Sequence, residues 1–268
     1  MVASPKTKEQ QMHRRFLALC VLALAAGAPP LALAQTAASA PAGTPSAVDP
    51  AAVQALKDMG AYLQTLKRFE VETELTGERV LEDGQKVQHS ASAKLEVERP
   101  NRLRARLDTP RTQRTLYYDG KQATLFTPAQ NVYASVPFNG TLAELADALQ
   151  GKYGIELPLA DMFVWGTRAA PTEGIESAMI VGQDIVDGEV CNQYAFRQGK
   201  IDWQIWISAR PGRPLPRKLV ITNRADEARP QSVSLIEWDL TPDFKASSFS
   251  FRAPKGAQAI EMVPRKTK

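Results

Sequence analysis

Residues 153–166 read YGIELPLADMFVWG, the most apolar short stretch of the chain outside its first 34 residues. Pro158 suits the first position of a helix, where a missing N–H costs nothing. From there Leu159, Met162 and Phe163 share one helical face, Val164 and Trp165 lie off it, and Asp161 is the only charge. A helix that is apolar nearly all round cannot rest with one side in water. The stretch therefore predicts a sheet with a hydrophobic hollow, and a short helix from Pro158 that fills or lids it. Leu159, Met162, Phe163 and Trp165 are its candidate ligand-lining residues.

Upstream, the sequence alternates. Phe69, Val71, Thr73 and Leu75 share one parity, and Glu70, Glu72 and Glu74 the other. Asp83-Gly84 is a hairpin turn. Val87, Ala91, Ala93, Leu95 and Val97 then face one way, and Leu103, Ala105 and Leu107 alternate with Arg102, Arg104 and Arg106. This is the pattern of an antiparallel meander with one face buried. The arginine row reads either as a site for anionic headgroups or as an outer face paired with Glu70, Glu72, Glu96 and Glu98 on neighbouring strands. Shorter strands follow to Val136. Thr141 with Glu144 three residues on forms a capping box that opens a short helix.

Downstream, Asp187-Gly188 joins two strands. Ile201, Trp203, Ile205 and Ile207 line one face of the next, with Trp206 on the other. Trp203 and Ile205 complete the candidate lining of the hollow. Strands at 215–221, 233–240 and 249–251 finish the count at about eleven. Strands in sequence, with helices inserted at two points, give an α+β domain.

Asp49 and Pro50 open a first helix as N-cap and first position. Its apolar face is Val53, Leu56, Met59, Leu63 and Leu66. Before it, residues 1–34 read as a secretory signal peptide: a basic start at Arg14-Arg15, an apolar run from Phe16 to Ala28 too short to span a bilayer, and Ala32-Leu33-Ala34 as the cleavage site. Residues 35–48 are small, polar and proline-bearing, the composition of a disordered linker. The folded domain is expected over residues 49–264, in the periplasm, with no membrane span once the signal is removed.

Charge and rare residues exclude several chemistries. Four of the 33 basic residues and one of the 29 acidic ones fall in residues 1–34. That leaves 29 against 28, a balance that does not attract nucleic acid. Cys191 and His89 are the only cysteine and histidine beyond residue 34. An intramolecular disulfide and a zinc cluster are thereby excluded from the domain. No metal or cofactor motif and no catalytic constellation is present. Cys191 reads as a small buried hydrophobe, and His89 as a strand side chain.

Four segments carry a resemblance: DPAAVQALKDMGAYLQTLKRF, YGIELPLADMFVWG, CNQYAFRQGKIDWQIWI and PLPRKLVITNRADEARPQ. Together they resemble a family of predicted periplasmic proteins, over about Asp49 to Ala257. That family is in turn similar, at the level of fold, to the LolA/LolB lipoprotein carriers. The resemblance implies a strongly curved antiparallel sheet, a half-barrel, covered by helices over a cavity that accepts acyl chains. None of the carriers' functional residues can be placed on this chain. The expectation is a non-enzymatic periplasmic carrier or chaperone whose partners are lipid or lipoprotein acyl chains. The alternative is an interaction or signalling module that binds an envelope protein on the same fold.

Overall fold

The computed structural model describes residues 47–265. The signal peptide and nearly all of the linker expected from the sequence lie outside the described residues. The end of that linker is ordered. Ala47 O accepts from Ala178 N (3.0 Å) and Asp49 N donates to Ala178 O (2.9 Å), so the chain enters along a strand edge.

Helix α1 spans Pro50–Thr65, capped by the Asp49 side chain, which accepts from Ala51 N. Its fully buried face is Ala52, Leu56, Met59, Gly60 and Leu63. The expected stripe is thus turned by about one residue: Val53 and Leu66 are only partly buried. Gly60 is the cause. A Cβ built there would stand 2.4 Å from Gly166 N, so α1 meets the 153–166 segment backbone to backbone at this point.

Twelve strands form one sheet. They are β1 (Arg68–Val80), β2 (Lys86–Glu98), β3 (Arg102–Asp108), β4 (Gln113–Tyr118), β5 (Gln122–Thr127), β6 (Val132–Pro137), β7 (Ile175–Val186), β8 (Glu189–Gln198), β9 (Ile201–Ser208), β10 (Pro216–Asn223), β11 (Gln231–Asp239) and β12 (Gln258–Ala259). Their order is β12-β6-β5-β4-β3-β2-β1-β11-β10-β9-β8-β7, an open sheet, antiparallel throughout except for the β12–β6 pair. The two meanders meet where β1 pairs with β11, for example Thr73 with Ile236. Between them the chain makes helix α2 (Leu142–Ala148), closed by the expected Thr141–Glu144 capping box, and a π-helical turn at Leu149–Tyr153.

Two sequence expectations are corrected. Residues 249–251 are not a strand. A 3-10 turn (Ala246–Phe249) stands there, and Phe251 packs on Tyr117, Phe126 and Tyr133 with ring centroids 4.9–5.4 Å apart. Aromatic residues used to cover a sheet face carry the same local signature as a strand. The twelfth strand, by contrast, is two residues long, too short for any alternation to show.

The sheet buries both faces in part. One face joins α1 and the 153–166 segment in the main core, with Val71, Leu95, Val97, Leu103, Trp203 and Ile205. The other carries a small cluster of Val186, Cys191, Trp206 and Val220. Trp206, on the parity opposite to Trp203, donates from Nε1 to Asp184 (3.0 Å) and lies under the Lys218 ammonium (4.5 Å). The arginine row is paired. Arg102 bonds Glu98 (2.7 Å), Arg104 bonds Glu96 (3.2 Å) and Arg106 bonds Asp108 (2.7 Å). Glu70 and Glu72 bond Lys94 instead, because β2 stands between β1 and the arginine strand β3.

Candidate functional site

The expected helix from Pro158 does not form. Leu159 adopts a left-handed conformation (φ 55°), and only one 3-10 turn, Ala160–Phe163, follows. A left-handed non-glycine residue costs roughly 1–2 kcal/mol, so the surroundings hold this turn in place. Several anchors do so. Gln64 Nε2, on α1, donates to Trp165 O (2.6 Å). Arg99 Nη2 reaches Met162 O (3.4 Å). Gln198 Nε2, on β8, donates to Pro171 O (3.2 Å) and Glu173 O (2.6 Å), fixing the loop that leads into β7. Gly166 (φ 79°) closes the segment against Gly60.

Between this segment, α1 and strands β9–β11 lies a hollow of about 190 Å³. Met59 and Leu63 come from α1, and Leu159, Asp161, Met162 and Trp165 from the segment. Ile201, Trp203 and Ile205 come from β9, and Leu219, Ile221, Ile236 and Trp238 from β10 and β11. Five of the six residues expected at a ligand site, Leu159, Met162, Trp165, Trp203 and Ile205, thus meet around one hollow. Phe163 does not. It is 1% exposed, packed in the core with the Arg99 guanidinium 5.8 Å from its ring. In a 3-10 turn successive residues step by about 120° rather than 100°, so Phe163 leaves the face it would share with Leu159 on an α-helix.

Pro171, Gln198, Leu219, Ile221, Ile236 and Trp238 were not expected at the site. Ile236 and Trp238 share a parity on β11 against Glu237 and Asp239, a signal present in the sequence. Which strand faces which segment was not.

Asp161 is the only charged residue lining the hollow. Asp161 is an exposed side chain, yet the apolar groups beside its carboxyl raise its pKa above the ordinary aspartate range. Three indoles line the space, those of Trp165, Trp203 and Trp238. Trp238 Nε1 donates to Pro216 O (2.8 Å), whereas Trp203 Nε1 is buried and finds no acceptor among the described residues. Trp203 stacks on Phe196 at 4.2 Å and stands 6.2 Å from Trp165. Arg99 is not among the lining residues. It has no ion-pair partner among the described residues, and burial pulls its pKa down.

Three polar or titratable side chains elsewhere among the described residues stand apart from the hollow. His89 is an exposed side chain of β2. Glu189 is held by Ser208 Oγ, Arg210 and Arg217. Cys191 is 0% exposed, and desolvation pushes its thiol pKa up. Among the described residues no group of three or more His, Cys, Asp or Glu side chains could hold a metal ion, and no helix is long and apolar enough to cross a membrane.

A family described as predicted periplasmic proteins, DUF2092, matches residues 52–263. The chain belongs to the DUF2092 family. Every residue lining the hollow falls within the DUF2092 match, and the family's description agrees with the periplasmic location expected from residues 1–34. No curated protein matches the sequence. Among solved structures this DUF2092 chain is similar to LprF from Mycobacterium bovis, at 15% identity over 79% of this chain and 99% of that one, with a TM-score of 0.45. It is also similar to the lipoprotein LppX from Mycobacterium tuberculosis (11% identity, 72% of this chain and 97% of that one, TM-score 0.37). A third is the LolA superfamily protein NE2245 from Nitrosomonas europaea (12% identity, 75% and 97%, TM-score 0.34). At these scores the likenesses carry no argument about what DUF2092 proteins bind.

Proposed function

We propose that this protein is a periplasmic, non-catalytic carrier that holds an apolar chain of an amphiphile between its sheet and the 157–171 segment. The observation that carries this reading is the composition of the hollow. Its walls are mostly aliphatic and indole side chains drawn from α1, from the segment and from four strands, with the Gln198 amide and a single charge among them. An apolar concavity with few polar groups is the usual form of a small-molecule site.

Size refines the mechanism. Small-molecule sites run roughly 300–1,000 Å³, and the present hollow, at about 190 Å³, is smaller. A long acyl chain therefore enters only as the segment gives way. Binding is non-covalent, and release follows when another apolar site takes the chain. The half-barrel curvature implied by the sequence resemblance belongs to this same reading.

The test is saturable binding. The protein is purified gently from the periplasm, its lipids are extracted and identified by mass spectrometry, and the emptied protein is titrated with a fluorescent acyl probe. Stoichiometric recovery of an acyl-bearing lipid and saturable rebinding are expected. Folded protein that binds no acyl probe would remove the carrier reading and leave the envelope interaction module.

A further inference from the structure

The hollow has a second character besides being apolar. Three indoles and one carboxylate line it, and no lysine, arginine or histidine does. The chain has four tryptophans in all, so three of the four are spent on this one space. Indole faces carry a negative quadrupole that attracts cations, and aromatic surfaces combined with an acid are the general recognition device for quaternary ammonium groups. Asp161, an exposed side chain, has no ion-pair partner among the described residues and is the one charge beside the three indoles. An anion placed beside it would meet a like charge with no cation to offset it.

Resting on the carrier reading above, we infer that the occupant is a cationic amphiphile, with a quaternary or primary ammonium head beside Asp161 and among Trp165, Trp203 and Trp238. Size agrees. A hollow of about 190 Å³ is below the size of a drug-sized ligand site and suits a compact head better than a whole amphiphile. The head is thus accommodated with the segment in place, and only the tail requires the segment to move. Selectivity then lies with the head and affinity with the tail. Other lining groups are consistent with this division. Gln198 is committed to the backbone of the loop and Trp238 Nε1 to Pro216, which leaves Trp203 Nε1 as a lining N–H without an acceptor among the described residues, a neutral donor that does not offset the Asp161 charge.

The test uses three probes with one twelve-carbon tail and different heads: dodecyltrimethylammonium, dodecyl maltoside and dodecanoate. Each is titrated below its micelle concentration by calorimetry, with tryptophan emission followed in parallel. The folded protein is expected to bind the ammonium probe roughly tenfold tighter than the neutral one, and dodecanoate weakest. Asp161→Asn should erase the preference of cation over neutral head, and Asp161→Lys should move it toward dodecanoate. Both variants alter an exposed side chain, and circular dichroism confirms their fold. Added salt should weaken the ammonium probe more than the maltoside. Equal affinity for all three heads, unchanged in Asp161→Asn, would overturn the cation assignment while the carrier reading stands. Absence of binding by all three would take away both.

Discussion

Replacing Gly60 by alanine tests how the site is closed. In an ordinary helix interior the change stabilises by about 1 kcal/mol, because glycine loses the most backbone entropy on folding. Here the sign should reverse. The new Cβ would stand 2.4 Å from Gly166 N and 2.9 Å from Gly166 Cα, against backbone that no rotamer change can withdraw. Overpacking costs typically about 1–3 kcal/mol. Moving the segment away also strains the Gln64–Trp165 bond, worth about 1 kcal/mol. Set against the helix gain, the net is a loss of roughly 1–3 kcal/mol, or a fall in Tm of roughly 3–10 °C for a domain of this size. Gly151→Ala is the control, since a Cβ there meets nothing within 4 Å. That change should raise stability by about 0.4–1 kcal/mol. Both are read by thermal melts followed by circular dichroism. If Gly60→Ala melts above wild type, as Gly151→Ala should, the close approach of α1 and the segment is not real and the closure of the hollow loses its main support.

Two further predictions concern titratable groups. The apolar groups beside the Asp161 carboxyl hold it above its unfolded pKa, so the folded state keeps its proton to higher pH than the unfolded one. Asp161 therefore costs stability above its folded pKa and nothing below the unfolded value of about 3.9. Asp161→Asn should raise Tm at pH 7, with the gain shrinking as the pH is lowered toward about 3.9; a gain independent of pH would contradict this. Cys191 is buried with a raised thiol pKa, on the sheet face opposite the hollow. A thiol reagent should modify it only at the rate of unfolding, and Cys191→Ser should leave probe binding unchanged. Fast labelling of native protein would refute that placement.

Much of the fold was legible from alternation and turn chemistry. The parity of Phe69–Leu75 and of Ile201–Ile207, the turns at Asp83-Gly84 and Asp187-Gly188, and the Thr141 capping box all depend on residues close in sequence. What was not legible depends on contacts between distant segments. Gly60 lies on an otherwise good helical face and gives no local sign of the backbone it meets 106 residues later, beyond being a glycine where alanine would be better. The apolar run at 158–165 satisfies a helical pattern, but Leu159 turns left-handed and places Phe163 in the core instead of at the hollow. The hollow itself was anticipated from the impossibility of solvating that run. Its far wall, Leu219, Ile221, Ile236 and Trp238, required the β1–β11 junction that brings the second meander into the same sheet.

Whether the segment is core or lid is a matter of magnitudes rather than of kind. Fully exposing Leu159, Met162 and Trp165 would cost roughly 5–9 kcal/mol at ~1.5–3 kcal/mol each. The bonds from Gln64 and Arg99 add roughly 1–3 kcal/mol more. A cost of that size lies within the whole stability of a typical domain, ~5–15 kcal/mol, so the segment does not open spontaneously to any useful extent. Two features work against its closure. Leu159 carries a left-handed strain of roughly 1–2 kcal/mol, and Trp203 Nε1 and Arg99 Nε are buried without acceptors among the described residues. Releasing them recovers part of the opening cost, and a ligand tail covering the exposed side chains recovers the rest. On the carrier reading proposed above, a closed state stable enough to be core without a ligand and strained enough to yield to one would strike the balance between holding cargo and giving it up.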